Sequence, residues 1–121
     1  MALTARIISA GNSPNSAQQI VGDFASGLTA TGNSQATALA LGAAVNAFST
    51  VASSTGAILP VASPGDSVKV WNAGAQTLSV YGQGTEAIGS GGASAAFSVA
   101  TTKGALFTKV SNTLWIPILS A

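Results

Sequence analysis

The sequence predicts an all-β fold: a β-sandwich or jelly-roll-like domain of about eight short strands, preceded by an N-terminal arm. Three observations lead there. From Ser34 onward, short stretches alternate apolar and small polar residues with period two. Clusters of Gly, Pro, Asn and Ser punctuate those stretches at short intervals. Before Asn33, apolar residues are scattered without any sustained period.

Taken in order, residues 1–33 read as the arm and 34–121 as the β-domain. Within the arm, Ser13-Pro14-Asn15-Ser16-Ala17-Gln18-Gln19-Ile20 carries helix-start chemistry. Ser13 can cap with Pro14 at the first helical position, or Ser16 can cap with Gln19 three residues on. Gly22 and Gly27 keep any such helix short. Strands are expected over 35–41, 45–52 and 57–61. Ser63-Pro64-Gly65-Asp66 suits a type II turn, with Pro fixing φ near −65° and Gly supplying a positive φ. Residues 67–72 and 76–82 form the clearest hairpin candidate, with Val68 and Val70 beside Leu78 and Val80 and with Trp71 and Tyr81 on the other face. Three strands follow over 95–100, 105–111 and 114–119. Pro117 in the last cannot donate to a ladder, which places it at a sheet edge or strand end.

Composition qualifies the core. Hydrophobic residues make up 47% of the 121, but 24 of them are alanine and only 29 are Val, Ile, Leu or Phe. At ~25 cal/mol per Å² of apolar area, alanine contributes little, so the monomer core is expected to be thin and helped by oligomerisation. Charged residues are 6% of the chain, against about 25% in an average domain. Such a surface fits a protein covered by partners. A net charge of +1 without a basic cluster argues against nucleic acid as a partner. No apolar run approaches the ~20 residues of a membrane-spanning helix. The N-terminus lacks signal-peptide character, so the product is expected to stay in the cytoplasm until it assembles.

Catalytic chemistry finds little to stand on. With no His and no Cys, the commonest general base and the soft metal ligands are missing, and neither a cofactor nor a metal is expected. Of the three acids Asp23, Asp66 and Glu86, Asp66 follows a turn and Glu86 lies near Gly82 and Gly84, both ordinary places for solvated acids. Gly82-Gln83-Gly84 and Gly89-Ser90-Gly91-Gly92 lack the endings of phosphate-binding loops and read as turns. Trp71, Tyr81 and Trp115 are candidate core or subunit-interface residues, or a face on which a glycan stacks. The expectation is a non-enzymatic protein.

A particular order of segments then carries a resemblance. An Ala- and Thr-rich lead-in, Thr29 to Leu39, is followed by Gly56-Ala57-Ile58-Leu59-Pro60 and by the turn and strand Ser63 to Asn72. Leu78-Ser79-Val80-Tyr81, a glycine loop and the late strand Thr113-Leu114-Trp115-Ile116 complete it. Over roughly residues 29–118 this resembles capsid decoration (cement) proteins and head-fibre modules of tailed bacteriophages. The resemblance implies a homotrimer on the outer surface of the virion, made in the host cytoplasm and bridging neighbouring copies of the major capsid protein. Arg6, Ile7, Ile8, Ile20 and Phe24 in the arm are the candidate capsid contacts; an extra edge strand and short helix closing the same sandwich is the other reading of that segment. A head- or tail-fibre module binding a host-surface receptor or glycan is the alternative function, and there Trp71, Tyr81 and Trp115 matter most.

Overall fold

A computed structural model describes residues 24–120. The helix-start segment at 13–20 and the arm residues Arg6, Ile7, Ile8 and Ile20 lie outside the described residues. Ten strands follow one another: β1 Phe24–Thr29, β2 Leu39–Ala40, β3 Val45–Thr50, β4 Gly56–Ile58, β5 Ser67–Asn72, β6 Leu78–Tyr81, β7 Ala87–Ile88, β8 Phe97–Val99, β9 Lys103–Ser111 and β10 Leu114–Leu119. One 3₁₀ turn, Gln35–Thr37, interrupts them, and the described chain is otherwise strand and loop. The fold is all-β.

Local alternation explains the strands. In β5, Val68, Val70 and Asn72 are buried while Ser67, Lys69 and Trp71 are exposed, the period-two signature of a sheet with one face inward. Ser63 to Asp66 closes as the sequence implies: Gly65 has φ +100° and the Asp66 N–H donates to the Ser63 carbonyl at 3.0 Å. The segment 35–41 differs. Its Ala/Thr alternation offers no large apolar side chain until Leu39, and it forms the 3₁₀ turn and a two-residue strand instead of a long one.

The strands build two sheets, ordered β1-β3-β5-β9-β10-β7 and β2-β4-β6-β8. From β1 to β8 the chain passes back and forth between them, and as far as β6 successive passes stack in parallel. β1 pairs with β3 and β3 with β5, while β2 pairs with β4 and β4 with β6, all in parallel. Phe24 thus faces Val45, 21 positions on, and Val45 faces Lys69, 24 positions on. A jelly roll is wound from antiparallel strands. Here antiparallel pairing is confined to β5–β9, β9–β10 and β6–β8, which close one end of the winding. β1 lies within the stretch assigned to the arm, yet it is the edge strand of the larger sheet.

The hairpin expected between 67–72 and 76–82 does not form, because β5 and β6 belong to different sheets. Ala73-Gly74-Ala75 is a corner that carries the chain from one sheet to the other. Asn72 holds it: its Nδ2 donates to the carbonyls of Gln76 and Val99 at 2.8 and 2.9 Å, and its Oδ1 accepts the Gly74 N–H at 2.9 Å. Val68, Val70, Leu78 and Val80 therefore belong to one core from opposing sheets, not as neighbours within one. Phe48, Leu59, Val99, Phe107 and Trp115 complete its centre, with Phe97 edge-on to Phe107 at 5.5 Å between ring centroids. Pro117 fits the edge expectation, since β7 pairs only with Leu114 and Trp115 and leaves the rest of β10 without a neighbour on that side.

Asn72→Ala strands one buried N–H and two carbonyls at the corner. A loss of about 2–4 kcal/mol in denaturant unfolding, with an unchanged m-value, is the expected outcome.

Candidate assembly surface

The outer face of the larger sheet is built by the residues between the buried ones. Register aligns Phe24, Val45, Lys69, Leu106 and Ile118 in one row across five strands, β1, β3, β5, β9 and β10. At ~4.8 Å per strand the row runs roughly 19 Å. Phe24 is 64% exposed, Ile118 62% and Val45 37%, and nothing in the described chain covers them. The adjoining row places Trp71 beside Gly104 on β9. A Cβ at Gly104 would stand 3.0 Å from the indole Cε3, so the glycine lets Trp71 lie flat across its neighbour strand. Between the two rows an open groove of about 390 Å³ is lined by Val45, Trp71, Leu106, Ile118 and Leu119 among others, with Lys69 as its single charged lining residue. A contiguous apolar face of this kind on a chain of so few charges is the candidate surface for association.

A second cluster lies inside. The Glu86 carboxylate accepts hydrogen bonds from Lys109 Nζ at 2.7 Å and from the Trp115 indole N–H at 2.8 Å. It also accepts the Gln83 backbone N–H at 3.0 Å. Lys109 donates further to the Ala62 carbonyl at 2.8 Å, and its ammonium sits 5.8 Å from the Trp115 ring centroid. Glu86 is 9% and Lys109 5% exposed, so the acid read as solvated is a buried ion-pair partner. Burial pushes the Glu86 pKa up. Hydrogen bonds from Lys109, Trp115 and Gln83, together with the lysine charge, outweigh that and hold it below the ordinary 4.5. Both carboxylate oxygens are engaged by groups from three parts of the chain, so the arrangement ties the fold together. No group of three metal-ligating side chains occurs among the described residues, and none of their helices is long and apolar enough to cross a membrane.

The three aromatics singled out from sequence do not share a face. Trp71 is 45% exposed on the larger sheet, and Trp115 is wholly buried in the core. Tyr81 lies half-buried on the smaller sheet over Gly56, where a Cβ would meet the ring at 3.0 Å. Of the candidate capsid-contact residues only Phe24 is described, and it joins the apolar row. Val45, Leu106 and Ile118 escape sequence reading because their row exists only through inter-strand register. Compared with protein-family models, with curated proteins and with solved structures, the chain has no match.

Lys109→Met leaves Glu86 buried without its counter-charge and is expected to cost about 3–5 kcal/mol in unfolding free energy. Replacing both partners, Glu86→Leu with Lys109→Met, is expected to recover part of that loss. The depressed Glu86 pKa adds a pH signature: its contribution is full above about pH 4.5 and is lost as pH falls through the lower folded-state value. Thermal melts from pH 7 to 3 should show this fall in the wild type and a flatter profile in Lys109→Met.

Proposed function

We propose that the chain is a structural, non-enzymatic subunit that buries the outer face of its larger sheet against copies of itself in an ordered assembly. The role is that of a capsid decoration protein of tailed bacteriophages, a homotrimer that bridges neighbouring major capsid subunits on the virion surface. The observation that carries this reading is the exposed row Phe24–Val45–Lys69–Leu106–Ile118 with Trp71 beside it. Few charges and a buried ion pair already committed to the fold support the same reading. The two-sheet, parallel-wound body, solenoid-like in its stacking, supplies a rigid slab on which such a face is displayed.

A glycan or receptor module draws less support. Sugar sites combine an aromatic platform with several placed polar groups, whereas Trp71 stands in a groove lined mostly by aliphatic residues and its presumed companions lie elsewhere.

The mechanism is mechanical. Each subunit adds surface across joints of a lattice, and binding that favours the closed lattice stabilises it by mass action. Multivalency of an oligomer turns weak single contacts into stable retention. Co-sedimentation with undecorated capsids tests this. Retention of the wild type, reduced at least tenfold by Ile118→Lys or Trp71→Lys, is the expected result. Retention unaffected by both substitutions removes the face from the mechanism, and no retention at all removes the capsid.

A further inference from the structure

The two ends of the winding differ. At one end β8, β9 and β10 fold back antiparallel, β7 is only two residues long, and Pro117 blunts what remains of the edge. At the other end β1 and β2 each pair on one side only, leaving two adjacent strand edges and the half-buried Leu28 open. Stacked-coil architectures end in caps, because an uncovered coil leaves its core and its backbone groups to solvent.

We propose that residues 3–21 of this same chain form one further coil and dock on the free edges of β1 and β2. The coil from β1 to β3 advances 21 positions between Phe24 and Val45. The sequence repeats at that same spacing. Gly11-Asn12-Ser13 recurs as Gly32-Asn33-Ser34, 21 positions on. Those residues make the corner between β1 and β2, and the corner is demanding. Gly32 has φ +72°, and a Cβ there would overlap the Thr37 carbonyl, so only glycine fits. The Ser34 and Thr37 hydroxyls hydrogen-bond at 3.0 Å, and Ser13 and Ser16 stand at the equivalent positions. Gln35 opens the 3₁₀ turn, and its counterpart is Pro14, whose fixed φ suits the first position of such a turn. The helix-start chemistry of that segment is thereby accounted for by the corner.

The apolar positions follow the same shift. Ile7 corresponds to Leu28, which packs on the core and stands opposite Phe48 of β3. Ile20 corresponds to the buried Leu41. Leu3 corresponds to the outward Phe24 and extends the apolar row by one strand. A segment joined directly to β1 also acts at high effective concentration, which favours docking on its own chain over docking on a second copy.

Cysteine pairing in the full chain tests the register, since the native sequence has no cysteine. Neighbouring strands bring facing Cα atoms to about 5 Å, within the reach of a disulfide. Leu3→Cys with Phe24→Cys is expected to cross-link within one chain under mild oxidation in dilute solution, and Ala5→Cys with Phe24→Cys, two residues out of register, is not. Equal yields from both pairs, no cross-link from either, or cross-links only between chains overturn the proposal. Amide exchange gives a second reading without outward cysteines. Residues 3–8 and the outer amides of β1 should be protected at least about 100-fold in the wild type. Ile7→Asp should abolish that protection and leave β5 and β9 unchanged; unprotected 3–8 amides in the wild type overturn the proposal.

Discussion

A buried ion pair, Glu86 with Lys109, ties together the closed end of the winding. Glu86 lies in the loop that leaves the smaller sheet, Lys109 in β9 and Trp115 in β10, while the lysine also grips the carbonyl of Ala62 in the loop before β5. Four segments distant in sequence thus meet at one carboxylate and one ammonium. Trp115 is itself a member of the hydrophobic core, so its indole N–H joins the ion pair directly to that core. A charge pair desolvated in this way adds less net stability than its geometry suggests, yet it tolerates few alternatives. Lys109 on β9 and Trp115 on β10 meet at Glu86, so the tie sits at the antiparallel closure of the larger sheet.

Once the inner faces of both sheets are spent on a shared core, the larger sheet has only its outer face left for another molecule. The closed end is unsuited to strand addition, since β7 is short and Pro117 has no N–H to offer. The outer face, where Val45, Trp71, Leu106 and Ile118 surround a groove with one lysine, is the surface proposed for association. The same economy explains the composition. A surface of Ser, Thr, Asn and Ala around an apolar slab suits a subunit that spends its working life against neighbours.

Strand positions were largely legible in the sequence. β5 at Ser67–Asn72 and β10 at Leu114–Leu119 fall on the expected bounds, and the turn at Pro64-Gly65 and the edge position of Pro117 follow directly from what proline and glycine permit. Pairing was not legible. Alternation states which side chains point inward, but Val68 and Leu78 give the same signal whether their strands are neighbours in one sheet or face each other across a core. Ala73-Gly74-Ala75 reads as a hairpin loop because the hydrogen bonds that make it a corner come from Asn72, reaching Val99 far along the chain. Lys109 and Glu86 are 23 residues apart, and no local pattern announces that a solitary acid will be buried. The assembly face shares that opacity, since its row is a product of register alone.

Sedimentation equilibrium of the full chain in dilute solution tests the account most directly. Burial of the apolar sheet face against copies requires a stable oligomer, and the account predicts a single species of three chains that Ile118→Lys converts to a folded monomer. A wild-type protein that remains monomeric throughout the concentration range, with the same stability as Ile118→Lys, would contradict it.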